Sequence, residues 1–67
     1  MEERIMIREL VGRGAVSRMH PSEVREMMAR LPLLGFSLWE ELAIGGYLSA
    51  VAAELEARID AKVAALF

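Results

Sequence analysis

The sequence predicts an all-α fold, a small bundle of three to four helices in which the C-terminal helix is the longest. Three observations support this prediction. Apolar residues recur at helical spacing in residues 24–31, a helix-capping pattern begins at Ser37, and one apolar face runs from Leu48 to Leu66. The chain has 67 residues and no Cys, so we expect a single domain, residues 1–67, without disulfides.

The first helix is predicted over residues 2–11. Two apolar pairs spaced four residues apart lie on one side of it: Met6 with Leu10, and Ile7 with Val11. The stretch RIMIR also alternates as a strand would. Gly12 is expected to end this helix, since glycine is favoured just after the last helical residue. Residues 12–20 then form a loop.

The second helix is predicted to begin at Pro21, because proline suits the first helical position. His20, the only histidine, then stands at the helix start. A buried stripe follows at positions i, i+3, i+4 and i+7, made of Val24, Met27, Met28 and Leu31. Pro32 closes the helix, since the residue before a proline avoids the helical conformation.

The third helix is predicted to begin at Leu38 with the capping box SLWE. In this pattern the Ser37 hydroxyl oxygen accepts the backbone N–H of Glu40. The Glu40 carboxylate reaches back to the N–H of Ser37.

A break or sharp kink is predicted at Gly45–Gly46. Two adjacent glycines cost about 2 kcal/mol of helix propensity. The large apolar residues also change face across them, so a straight helix would either bury Glu41 or expose Trp39. We therefore expect a short helix, Leu38–Ile44, and a long one, Tyr47–Leu66.

The long helix has two apolar faces that lie back to back. Its large residues are expected to face the domain core: Leu48, Val51, Leu55, Ile59, Val63 and Leu66. The opposite side carries a small-residue stripe of Ala50, Ala53, Ala57, Ala61 and Ala64. This alanine stripe is either an ordinary exposed helix face or a surface on which a second helix packs closely. A further set of apolar residues forms either ordinary core or an adaptable groove that is the second candidate partner surface: Met27, Met28, Phe36 and Trp39.

No motif for catalysis, metal binding or cofactor binding is found. A lone His20 without Cys or a second His does not complete a usual metal or catalytic site, so we expect no enzyme activity, metal or cofactor. The loop GRGAVSR could hold an anion through Arg13 and Arg18, but it matches no phosphate-binding fingerprint.

Charge and hydropathy narrow the function further. Residues 1–30 carry six Arg and five Glu, whereas residues 31–67 carry two basic and five acidic residues. Nucleic-acid binding is therefore expected to be unlikely, and only the Arg-bearing N-terminal half could support it. No uncharged stretch is long enough to cross a membrane, and a cytoplasmic location is expected.

The hydrophobic fraction of 55% is high for so small a chain. The sequence therefore predicts a small interaction module that acts by self-association or by docking a partner helix, as an adapter, regulatory or assembly subunit. The alternative is an anion- or nucleic-acid-binding regulator.

Overall fold

The computed structural model describes residues 2–67 and contains three α-helices. Helix α1 spans Glu3–Gly12, α2 spans Pro21–Arg30 and α3 spans Leu38–Leu66. Short 3₁₀ turns at Ala15–Arg18 and Leu31–Leu33 precede and follow α2. Residues 2–67 contain no strand, so the prediction of an all-α protein with a long C-terminal helix is confirmed.

The core lies between α1, α2 and the N-terminal half of α3. Every helix and every 3₁₀ turn supplies at least one buried side chain, so all of them pack into one shared core. The buried residues are Ile7, Val16, Val24, Met27, Leu31, Phe36, Ile44, Leu48 and Ala52. The stripe predicted on α2 is confirmed, with Val24, Met27 and Leu31 buried and Met28 half-buried.

Polar side chains start the second and third helices where the sequence predicts. The backbone N–H of Ser22 donates to His20 Nδ1 at 3.1 Å, and the N–H of Glu40 donates to Ser37 Oγ at 3.2 Å. The reciprocal half of the predicted capping box does not form. The Glu40 carboxylate instead accepts two hydrogen bonds from Arg8.

The connection between α1 and α2 turns at Gly14 rather than at Gly12. Gly12 is the last residue of α1, whereas Gly14 has a φ of 68°, a left-handed conformation that favours glycine. The predicted loop also contains the first 3₁₀ turn, which places Val16 in the core.

The predicted break at Gly45–Gly46 is wrong, because α3 is one α-helix through both glycines. The apolar residues do change face there, but the protein leaves them exposed instead of breaking the helix. Trp39 is 80% exposed, and Leu38 and Leu42 are also exposed. Single apolar residues on a surface are common. An exposed Trp39 therefore does not require the helix to break.

The length of α3 leaves its C-terminal end without cover. Its 29 residues account for the 44 Å long axis of the molecule, whereas α1 and α2 have ten residues each and span only about 15 Å. The predicted core face is correct for Leu48 and for the half-buried Val51 and Leu55. It is wrong for Ile59, Val63 and Leu66, which are exposed. We call residues 57–67 the projecting end.

Candidate functional site

The projecting end begins where the last tie between α2 and α3 is made. Arg25 Nη2 of α2 donates to Glu56 Oε1 of α3 at 2.6 Å. Glu56 is partly buried, and every residue from Ala57 to Phe67 is exposed. About three turns of helix therefore extend beyond the body of the protein.

One side of the projecting end continues the face that the body covers. Eleven residues rotate a helix by about 20° beyond whole turns, so Ile59, Val63 and Leu66 repeat the positions of Leu48, Ala52 and Leu55. Leu48 and Ala52 are fully buried, whereas Ile59, Val63 and Leu66 are 41%, 47% and 80% exposed. We call these three exposed residues the apolar stripe. It is a core face without the elements that would cover it.

A cleft of about 380 Å³ lies at the base of the apolar stripe. Its walls come from the first 3₁₀ turn, the start of α2 and the adjoining part of α3. The lining residues are Ser17, Arg18, Met19, His20, Pro21, Leu55 and Ile59. Ile59 belongs to both the cleft and the apolar stripe, so the two form one continuous surface.

The alanine stripe lies on the opposite side of α3. All five of its residues are exposed: Ala50, Ala53, Ala57, Ala61 and Ala64. Because α3 is unbroken, Trp39 and Ala57 are separated by 18 residues of continuous helix, which is about five whole turns. Trp39 therefore projects from the same side as the alanine stripe. With the predicted break, the two positions would not have had a fixed angle between them.

The structure does not bring together the four residues of the predicted groove. Met27 and Phe36 are only 8% and 9% exposed and belong to the core. Met28 lines a separate groove between the end of α2 and the first turns of α3, with Leu42, Gly45 and Gly46 on its other side. Trp39 is not among the residues that line this groove.

Three ion pairs tie the helices to one another, one for each pair of helices. Arg8 joins α1 to α3 through Glu40 with two hydrogen bonds of 2.7 Å, and its guanidinium lies 5.3 Å from the centre of the Phe36 ring. The other two pairs are Arg30 with Glu3 and Arg25 with Glu56. All three pairs are partly exposed to solvent, so they orient the helices and add only modestly to the stability that the apolar core provides.

The remaining arginines of residues 1–30 divide into paired and unpaired groups. Arg4 pairs with Glu2, and Arg13 lies 4.0 Å from Glu9. Within residues 2–67, Arg18 has no carboxylate within ion-pair distance. Five of the six arginines in this half therefore have a carboxylate within 4.0 Å, and each of these carboxylates would repel a bound anion or nucleic acid.

The ion pairs give stability a defined dependence on pH. Hydrogen bonding from Arg8 lowers the pKa of Glu40 below its ordinary value of 4.5, and Arg25 does the same for the pKa of Glu56. A carboxylate whose pKa is lowered on folding stabilises the protein above its unfolded pKa. That contribution is lost as the pH falls through the lowered value.

Replacing Glu40 with glutamine should therefore reduce the loss of stability that accompanies a fall in pH. We expect the urea midpoint of the unaltered protein to fall between pH 5 and pH 3, and that of Glu40→Gln to fall less. The matched control is Glu54→Gln, because Glu54 pairs only within α3, with Arg58. A Glu40→Gln profile parallel to that of the unaltered protein would contradict the role of the Arg8–Glu40 pair.

Comparison with protein-family models, curated proteins and solved structures finds no match for this chain. Among residues 2–67, no three His, Asp or Glu side chains lie close enough together to hold a metal ion. No helix in the same range is both long and apolar enough to cross a bilayer.

Proposed function

We propose that this protein is a non-enzymatic helical interaction module whose contact element is the projecting end of α3. It acts by packing that end against another helix, either in self-association or in a complex with a partner. The single observation that carries this proposal is the apolar stripe, a core face that continues for about three turns beyond the last residue that the body covers.

The stability of the projecting end supports this function. The projecting end continues α3 and needs no new helix nucleus, but its exposed turns have little tertiary support and are the part of α3 that opens most easily. Complete burial of an exposed large aliphatic side chain contributes about 1.5–3 kcal/mol, and Ile59 and Val63, which are 41% and 47% exposed, would gain part of that. Covering Ile59, Val63 and Leu66 with another helix would both stabilise the projecting end and drive the association.

The alanine stripe is the second candidate contact surface within the same function. Its small residues would let a helix approach closely, and the exposed Trp39 lies on the same side. It offers much less apolar area per residue than the apolar stripe, because alanine removes little surface from water. The apolar stripe is therefore the preferred surface.

Charged substitutions on the two sides of α3 test the proposal. Ile59→Glu with Val63→Glu should abolish association, because charged side chains at an apolar contact remain unpaired. The matched control is Ala53→Glu with Ala57→Glu, which places the same charges on the opposite side. We expect this control to retain the associated mass in light scattering over a concentration series.

The outcomes of this experiment are distinct. Dissociation by the alanine variant alone would retain the proposed function and move it to the alanine stripe. A mass of one chain for the unaltered protein, about 7.5 kDa, at every concentration would contradict self-association. The anion- or nucleic-acid-binding alternative predicts affinity for a polyanion at low salt, which a salt-titrated binding assay would detect.

A further inference from the structure

We infer that the apolar stripe is covered by the apolar stripe of a second copy of this chain, in an antiparallel, two-fold symmetric pair centred near residues 62 and 63. In this pair Phe67 of each copy fills the cleft at the base of the other copy's stripe. The inference rests on the proposed function and names its partner and geometry.

The lengths of the helices determine the direction of pairing. On the face that carries the apolar stripe, α2 and the first 3₁₀ turn already cover α3 as far as Leu55. In a parallel pair, the N-terminal half of each α3 would have to pass through the space that α2 of the other copy occupies. In an antiparallel pair the two bodies lie at opposite ends, and only the projecting ends overlap.

The register follows from where the cleft lies. It is lined by Leu55 and Ile59, one turn apart on α3, so it is centred near residue 57 of the helix. An antiparallel pair that places Leu66 of one copy opposite Ile59 of the other brings Phe67 of the first copy to the level of residue 58. The fully exposed Phe67 then lies at a cleft whose apolar walls include Met19 and Pro21.

Electrostatics at the cleft favour the same occupant. The C-terminal end of a helix carries backbone carbonyls without partners and a partial negative charge. Arg18 lines the cleft and has no carboxylate partner within residues 2–67. A helix that enters C-terminus first therefore presents its negative end to an available guanidinium.

One chain thus supplies both the surface and what covers it, as a two-fold symmetric contact requires. The contact is also small, since about three turns overlap on each copy, and we expect a weak dimer.

Lys62 lies on the edge of the apolar stripe, so two Lys62 ammonium groups come near each other at the axis and repel. Lys62→Gln should therefore tighten the dimer several-fold.

Cysteine cross-linking tests the geometry directly, because the chain has no native Cys. In the antiparallel pair, residue 63 lies near the two-fold axis. Val63→Cys should therefore form a disulfide with the same cysteine of the second copy under mild oxidation. Ile59→Cys or Leu66→Cys alone should remain unlinked. A mixture of these two variants should cross-link, because residues 59 and 66 lie opposite each other.

Each other result has a definite meaning. Efficient self-linking of all three single variants would show a parallel pair and overturn the inference while leaving the proposed function intact. An associated protein in which no variant links, including the mixture, would place the contact on another face and also overturn it. Absence of linking together with a monomeric mass would contradict both the inference and self-association. Circular dichroism of each variant checks that the helices are retained.

Discussion

Replacing Leu48 with alanine should lower the free energy of unfolding by about 3–5 kcal/mol. Leu48 is one of the largest fully buried side chains of the protein. Its removal loses apolar burial and leaves a cavity in the core that the surrounding side chains fill only in part. A chain of this length has a total stability of about 3–10 kcal/mol, so this one substitution removes a large fraction of it.

The matched control for Leu48→Ala is the same substitution at Leu42 on the same helix. Leu42 is mostly exposed, so Leu42→Ala should change stability by no more than about 0.5 kcal/mol. Urea unfolding followed by circular dichroism measures both variants, at one low protein concentration to limit any contribution from association. Equal losses at the two positions would contradict the assignment of Leu48 to the core.

The double substitution Gly45→Ala with Gly46→Ala should raise the free energy of unfolding by about 2 kcal/mol. Both glycines lie inside the unbroken α3, where alanine is the better helix former. A methyl group at Gly45 would lie 3.7 Å from Leu31 Cδ1, an ordinary contact, and one at Gly46 meets no atom within 4 Å. Nothing in the structure requires glycine at either position.

Gly14→Ala is the control for this glycine prediction. Gly14 also has room for a methyl group, but its φ of 68° is unfavourable for alanine, so this variant should lose about 1–2 kcal/mol. Thermal unfolding of both variants separates the two cases. A loss of stability in the Gly45–Gly46 variant would restore the break that the sequence predicts.

The features that depend on local sequence could be predicted before the structure. The spacing of apolar residues on α2 and the position of Pro21 define that helix, and Ser37 marks the start of α3. These signals act within one or two helical turns, so they do not depend on contacts with residues that are distant in the sequence. The capping box was only half right because Arg8, 32 residues away in sequence, takes the Glu40 carboxylate.

The features that depend on packing between distant residues could not be predicted in the same way. The ion pairs between helices join residues 27 to 32 positions apart, and nothing in the local sequence selects one pairing over another. The phase change at Gly45–Gly46 was real, but it did not decide between breaking the helix and exposing Trp39. Ile44 and Leu48 lie on either side of the glycines, and both are buried on one face of α3. Their burial favours a continuous helix and outweighs the low helix propensity of glycine.

The exposed apolar stripe was overlooked although the sequence contains its signal. The two predicted N-terminal helices are about ten residues long, and the C-terminal segment from Tyr47 alone is about twice that length. Short helices cover only the same length of a neighbour, so part of the long apolar face had to extend beyond them. Comparing helix lengths, rather than helix faces alone, would have located this surface.

Amide hydrogen exchange at two protein concentrations tests most directly whether the projecting end is covered by a second copy of this chain. We predict that the amides of residues 59–66 exchange rapidly in dilute protein and become protected as the concentration rises. The amides around Leu48 should be protected at both concentrations, because the body of the same chain covers that part of α3. Protection of residues 59–66 that does not change with concentration would contradict the account.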